Sequence, residues 1–125
     1  MIETKRATMV LVMTLLTVET ARADGDAVRG ETRFQECAAC HKLAADANEI
    51  GPSLHGVFTR KAGELADFRF SPAMKRSGIV WTPETLEKYI ADPQAMVPAN
   101  RMPYAGMTSA NDRADLIAYL VKATK

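Results

Sequence analysis

Glu36-Cys37-Ala38-Ala39-Cys40-His41-Lys42 is the stretch of this 125-residue sequence around which the rest is organised. Cys-x-x-Cys followed at once by His has the form of a covalent haem attachment site. Two thiols separated by two residues can each add to one vinyl group of the same porphyrin. The next side chain is then forced under the ring, where an imidazole nitrogen can bind iron. Two other chemistries use Cys-x-x-Cys. A zinc site needs four ligands, and His55 is the one further His or Cys in the sequence. A thioredoxin-like dithiol expects a βαβ setting, and no strand-rich pattern is visible. Two cysteines in one attachment motif imply one haem and no disulfide.

Upstream of the motif, Lys5 and Arg6 form a basic front, Ala7 to Val18 an apolar run broken only by threonines, and Ala21-Arg22-Ala23 a small-x-small cleavage site. Residues 1–23 therefore read as a secretory signal peptide and residues 24–125 as one domain. The apolar run is shorter than the roughly 20 residues of a membrane span, so no stable span is expected in the mature form. Export agrees with the attachment motif, since thioether bonds to haem are made outside the cytoplasm in bacteria, and the periplasm is the expected location.

The whole chain has 16 Lys and Arg against 15 Asp and Glu. Three of the bases (Lys5, Arg6, Arg22) and two of the acids (Glu3, Glu19) fall before Asp24, which leaves 13 of each. A balanced domain gives no reason to expect nucleic acid or an anionic membrane as partner. No repeat, linker or low-complexity tract divides it.

Apolar spacing predicts an all-α domain. Asp26 can cap a first helix running towards Cys37, with Ala27, Gly30, Phe34 and Cys37 along one face. A glycine in mid-helix costs about 1 kcal/mol against alanine. Gly30 is therefore expected where another helix comes close. Leu43 to Asp67 reads as a loop punctuated by Gly51-Pro52, Gly56 and Gly63. A loop of about 25 residues is unusual inside a compact domain unless it lies on a large rigid apolar group such as a haem.

Ser71-Pro72 opens a short helix that Gly78 closes, and Thr82-Pro83 opens another with Leu86, Tyr89 and Ile90 as its buried stripe and Pro93 as its stop. Gln94 to Thr108 is expected to be non-helical. Ser109 caps the last helix, with Asp112 as capping-box partner and Leu116, Tyr119, Leu120 and Ala123 on one face. Lys75, Arg76, Arg113 and Asp115 read as solvated.

With His41 on one side of an iron, the opposite position has several candidates: Met74, Met96, Met102, Met107 and His55. Periodicity favours none of them, and a methionine is more often a core filler than a ligand. Met102 stands out modestly, because Pro98 and Pro103 stiffen the backbone on either side and a pre-ordered ligand loses little entropy on binding.

The sequence from Gly25 onward resembles the class I cytochrome c family, the mitochondrial proteins and their soluble bacterial relatives. The resemblance runs through Gly30, Phe34, Cys37 to His41, Gly51-Pro52-Ser53-Leu54-His55-Gly56, Arg60-Lys61, Gly78-Ile79-Val80-Trp81, Tyr89, Arg101 to Gly106, and Asp115 to Leu120. It implies the cytochrome c fold, in which N- and C-terminal helices cross and short helices and loops wrap one covalent haem c. It also implies thioethers at Cys37 and Cys40, axial ligands His41 and Met102, and a Pro52 carbonyl that accepts from the His41 ring. Arg60 and Trp81 would serve a buried propionate, and Tyr89 would sit beside the Met102 sulfur.

Several positions depart from the mitochondrial pattern. Phe70 and Met74 replace a Tyr and an Asn, Asn100 a Thr, Tyr104 a Phe, and Gln94 and Ala95 two lysines.

The function implied is that of a monomeric periplasmic one-electron carrier rather than an enzyme, in a role like that played in the intermembrane space. Its partners would be a quinol-oxidising cytochrome complex and a terminal oxidase or reaction centre. Alternatives are a dedicated acceptor for a periplasmic dehydrogenase, or a peroxidase-like enzyme if Met102 left an open iron site.

Overall fold

The structure is a computed structural model that describes residues 24–125, so the expected signal segment 1–23 lies outside the described residues. Five helices follow in order: α1 (Ala27–Ala38), α2 (Pro72–Arg76), α3 (Pro83–Ala91), α4 (Pro93–Met96) and α5 (Ala110–Ala123), with a 3-10 turn at Val57–Thr59. Among the described residues, β pairing is limited to an isolated antiparallel bridge between Lys61 and Val80. The all-α expectation therefore holds.

The helix starts follow the caps in the sequence. Asp26 accepts from the Arg29 N–H, Ser71 from that of Met74, Thr82 from that of Thr85, and Ser109 from that of Asp112. Each cap satisfies a donor that the first turn leaves unpaired, a contribution of about 1 kcal/mol. Gly78, with φ of 68°, closes the turn after α2 as expected.

Two expectations need correction here. Pro93 does not simply end α3; it also occupies the first turn of α4, with Asp92 accepting from the Ala95 N–H as its cap. A proline lacks the N–H that a first-turn residue would leave unpaired, so the same residue can stop one helix and start the next. Asp112, in turn, is no capping-box partner through its side chain, which pairs with Arg33 of α1 at 3.1 Å.

The most extensive helix contact is the crossing of α1 and α5. A Cβ at Gly30 would lie 1.9 Å from the Asp115 carbonyl oxygen, so only hydrogen fits at the crossing point. Phe34 packs beside it, with its ring centroid 5.6 Å from that of Tyr119. Leu116, 1% exposed, carries the crossing into the core.

This approach also overturns the solvated reading of Asp115. Asp115 is buried at 5% exposure, accepts the Asp26 N–H at 2.6 Å, and takes two hydrogen bonds from the Arg29 guanidinium at 2.8 and 3.0 Å. A buried carboxylate is tolerable because it is paired in this way. Arg29 first, and the Asp26 N–H next, hold its carboxyl below the usual carboxylate range.

Arg113 is likewise not a solvated residue. It pairs with Glu87 of α3 and donates to the carbonyls of Met107 and Thr108 at 2.8 and 2.9 Å, so it fastens the 97–109 segment to two helices. Lys75 and Arg76 are exposed as expected.

Candidate functional site

The site begins where α1 ends. The Cys37 carbonyl accepts the N–H groups of Cys40 and His41 at 3.1 and 2.9 Å, a turn that brings the two thiols and the imidazole to one cavity wall. The His41 Nδ1 lies 2.7 Å from the Pro52 carbonyl oxygen. A carbonyl can only accept, so Nδ1 carries the proton and Nε2 keeps its lone pair. Burial lowers the affinity of the ring for a second proton, outweighing the Pro52 contact that favours the charged form, and the nearby Arg60 charge lowers it further. The imidazole is therefore neutral at pH 7, the form a metal requires.

Gly51 completes this wall. A Cβ there would stand 2.5 Å from His41 Cε1, so the imidazole is seated directly against backbone.

Another part of the cavity wall comes from the 97–109 segment, which is without helix or strand. Tyr89, on the buried face of α3, donates its hydroxyl to Met102 Sδ at 3.6 Å. Burial pushes the Tyr89 phenol up to about 12, so it remains a donor at neutral pH. The Trp81 ring packs on Tyr89 edge to face at 5.2 Å. Asn100, buried, donates from Nδ2 to the carbonyls of Pro93 and Val97 and accepts the Met102 N–H at 2.8 Å.

All eight residues named from the sequence, Cys37, Cys40, His41, Pro52, Arg60, Trp81, Tyr89 and Met102, line one cavity of about 300 Å³. Its remaining wall is largely apolar, supplied by Leu54, Val57, Leu86, Ile90, Leu116 and Leu120 among others. Of the other methionines, Met74 reaches the cavity, whereas Met96 and Met107 do not. His55 is exposed and off the wall. Sequence reasoning assigned no role to Gly51, to the Asn100 brace or to Glu36. The first could have been suspected from its place before Pro52; the others have no local signal.

The geometry also weighs against the rival uses of the motif. Among the described residues no group of three His, Cys, Asp or Glu comes together to hold a metal ion. Burial pushes the Cys37 thiol up to about 11, with the charges of Glu36 and Cys40 adding to it. A redox dithiol needs the opposite shift.

Residues 27–124 match the family described as Cytochrome c. The chain belongs to the cytochrome c family. It is 49% identical over 87 residues to cytochrome c2 iso-2 of Magnetospirillum fulvum, covering 70% of this chain and 91% of that one. It is 42% identical over 103 residues to cytochrome c of Cochliobolus lunatus, covering 81% and 95%. Among solved structures it is similar to cytochrome cH from Methylobacterium extorquens, with a TM-score of 0.73, 43% identity, and coverage of 78% and 98%.

The family consists of electron carriers, not enzymes, with covalently bound haem c, and this cytochrome c has the two attachment cysteines, Cys37 and Cys40, in the family's motif. The cavity suits the group. Its walls are apolar, one imidazole presents a free nitrogen, and Arg60 places a half-buried guanidinium on the wall where a carboxylate could be paired.

Proposed function

We propose that this cytochrome c is exported to the periplasm by residues 1–23 and shuttles single electrons between protein partners, with His41 and Met102 as the two iron ligands. The partners we assign are a quinol-oxidising cytochrome complex and a terminal oxidase or reaction centre. The observation that carries the ligand pair is the placement of His41 Nε2 and the Met102 thioether on walls of one cavity, each oriented by a hydrogen bond from behind.

Bound haem c supplies a one-electron iron couple. The chain's own residues do the rest. The Pro52 carbonyl, by accepting from Nδ1, fixes the ring and makes Nε2 a better donor to a metal. Tyr89 draws on one lone pair of the Met102 sulfur and keeps the side chain turned inward. Arg60 is placed to offset a propionate charge that would otherwise be costly to bury. With His41 and Met102 both bound to the iron, no position on it would be left for a substrate.

Around the cavity mouth, Ile50 and Pro103 are exposed apolar residues, and the charges beside them, Glu36 and Arg101, are of opposite sign. Such a rim favours docking through a small apolar contact rather than a strong field.

The test is stopped-flow reduction and reoxidation by purified partner complexes as ionic strength rises. The expected result is one electron taken up per chain, no turnover of peroxide, and a rate that changes by less than about tenfold, well below what strong steering gives. Peroxide turnover would replace the carrier reading with the enzyme reading. A steep fall with salt would instead point to a charged, dedicated partner.

A further inference from the structure

Tyr104 donates its hydroxyl to a Glu36 carboxylate oxygen at 2.9 Å, across 68 positions of sequence. Both residues line the cavity. Glu36 directly precedes Cys37 on α1, and Tyr104 follows Met102 by two residues. The bond therefore joins the wall that carries the attachment cysteines to the wall that carries Met102, at the open side of the cleft. On the other flank of Met102, Arg101 reaches the Phe70 carbonyl only at 3.5 Å, the outer limit of a hydrogen bond. The Tyr104 tie is the shorter of the two.

Residues 97–109 have no helix or strand to hold them, so their position rests on such discrete ties. Inside, the Asn100 amide and the Tyr89 hydroxyl hold Met102. Outside, a contact that spans the mouth ties the Met102 segment to α1. We propose that the Glu36–Tyr104 hydrogen bond is a strap across the mouth of the cleft, and that both are positioning residues that keep the Met102 segment closed over the iron. This rests on Met102 as the second iron ligand.

Two features make the strap effective. A phenol donating to a carboxylate is charge-assisted and stronger than a neutral pair. One end is anchored on a helix beside a covalent attachment point, so little freedom is left to lose at that end.

The experiment uses the ferric holoprotein as wild type, Tyr104→Phe, Glu36→Gln, Glu36→Ala and the double variant Glu36→Ala/Tyr104→Phe. Two quantities are read: the limiting rate at which imidazole enters the iron site, and hydrogen exchange at the Met102 and Tyr104 amides, with the Met107 amide as a control held independently by the Ile90 carbonyl. Tyr104→Phe and Glu36→Ala are each expected to raise the imidazole rate by roughly three- to tenfold, the range a single hydrogen bond gives. Glu36→Gln, which keeps an acceptor, should fall between these and the wild type. The double variant should match the single ones, because all three remove the same bond.

Exchange at Met102 and Tyr104 should rise in parallel and that at Met107 should not. Unchanged rates and exchange in Tyr104→Phe, or effects that add in the double variant, would overturn the strap while leaving the ligand assignment intact. A wild type without the thioether-to-iron charge-transfer band would overturn the Met102 reading and the role given to the strap together.

Discussion

The two walls of the cleft hold their ligands by different means. On the first, His41 is seated between backbone groups: the Cys37 carbonyl sets the turn, Gly51 lies against the ring and the Pro52 carbonyl takes its proton. On the second, Met102 is held by side chains, namely Asn100 behind it, Tyr89 on its sulfur and Tyr104 across the mouth. Backbone contacts leave little room to yield, whereas side-chain ties can be loosened one at a time. The difference suggests that the Met102 wall is the side that opens.

Substitutions can break or sharpen this contrast. The largest effect on the whole domain is expected from Asp115→Asn, which weakens the α1–α5 crossing on which both walls depend and should lower the melting temperature without favouring release of either ligand. The Asp115 carboxyl is held below its ordinary value of 3.8 in the folded state, so its contribution is present above that value and is lost as the pH falls through the lower folded one. Thermal melts from pH 7 down to pH 2 should show the gap between wild type and variant closing at the acid end. A gap that widens there would be the wrong sign.

Gly51→Ala comes next and strikes the His41 wall. Its Cβ meets the imidazole at 2.5 Å with backbone behind it, so an overpacking penalty of about 2–3 kcal/mol is expected in chemical denaturation. Asn100→Ala removes the brace behind Met102 and leaves the Met102 N–H without its acceptor, at about 1–3 kcal/mol. That loss should appear with faster imidazole entry, whereas Gly51→Ala should destabilise the fold without selectively freeing the Met102 segment. The smallest effect belongs to Tyr89→Phe. It removes a single weak bond to sulfur, worth no more than about 1 kcal/mol, and should be seen as a modest shift of the charge-transfer band rather than its loss.

The same contrast explains how much could be read from the sequence. Helix caps at Asp26, Ser71, Thr82 and Ser109 are local signals, and α1, α2, α3 and α5 begin where they predict. Gly30 and Phe34 announced the helix crossing, and Cys37 to His41 the attachment wall. The missed features depend on residues far apart in the chain. Asp115 looked solvated because its partner Arg29 is 86 positions away, and Arg113 because its partner Glu87 is 26 positions away. α4 escaped because four residues are too few to show a period, and because Pro93 carries a stop signal and a start signal at once.

The position of Met102 lies between these cases. Residue spacing left it level with other methionines, the flanking Pro98 and Pro103 favoured it modestly and family resemblance singled it out, while the fold places it on the cavity wall with a hydroxyl on its sulfur.

The most direct measurement is the absorption spectrum of the ferric protein, wild type beside Met102→Ala, in the region of the thioether-to-iron charge-transfer band. The band should be present in the wild type and absent in the variant. A wild type without it, or a variant that keeps it, would contradict the pairing of His41 and Met102.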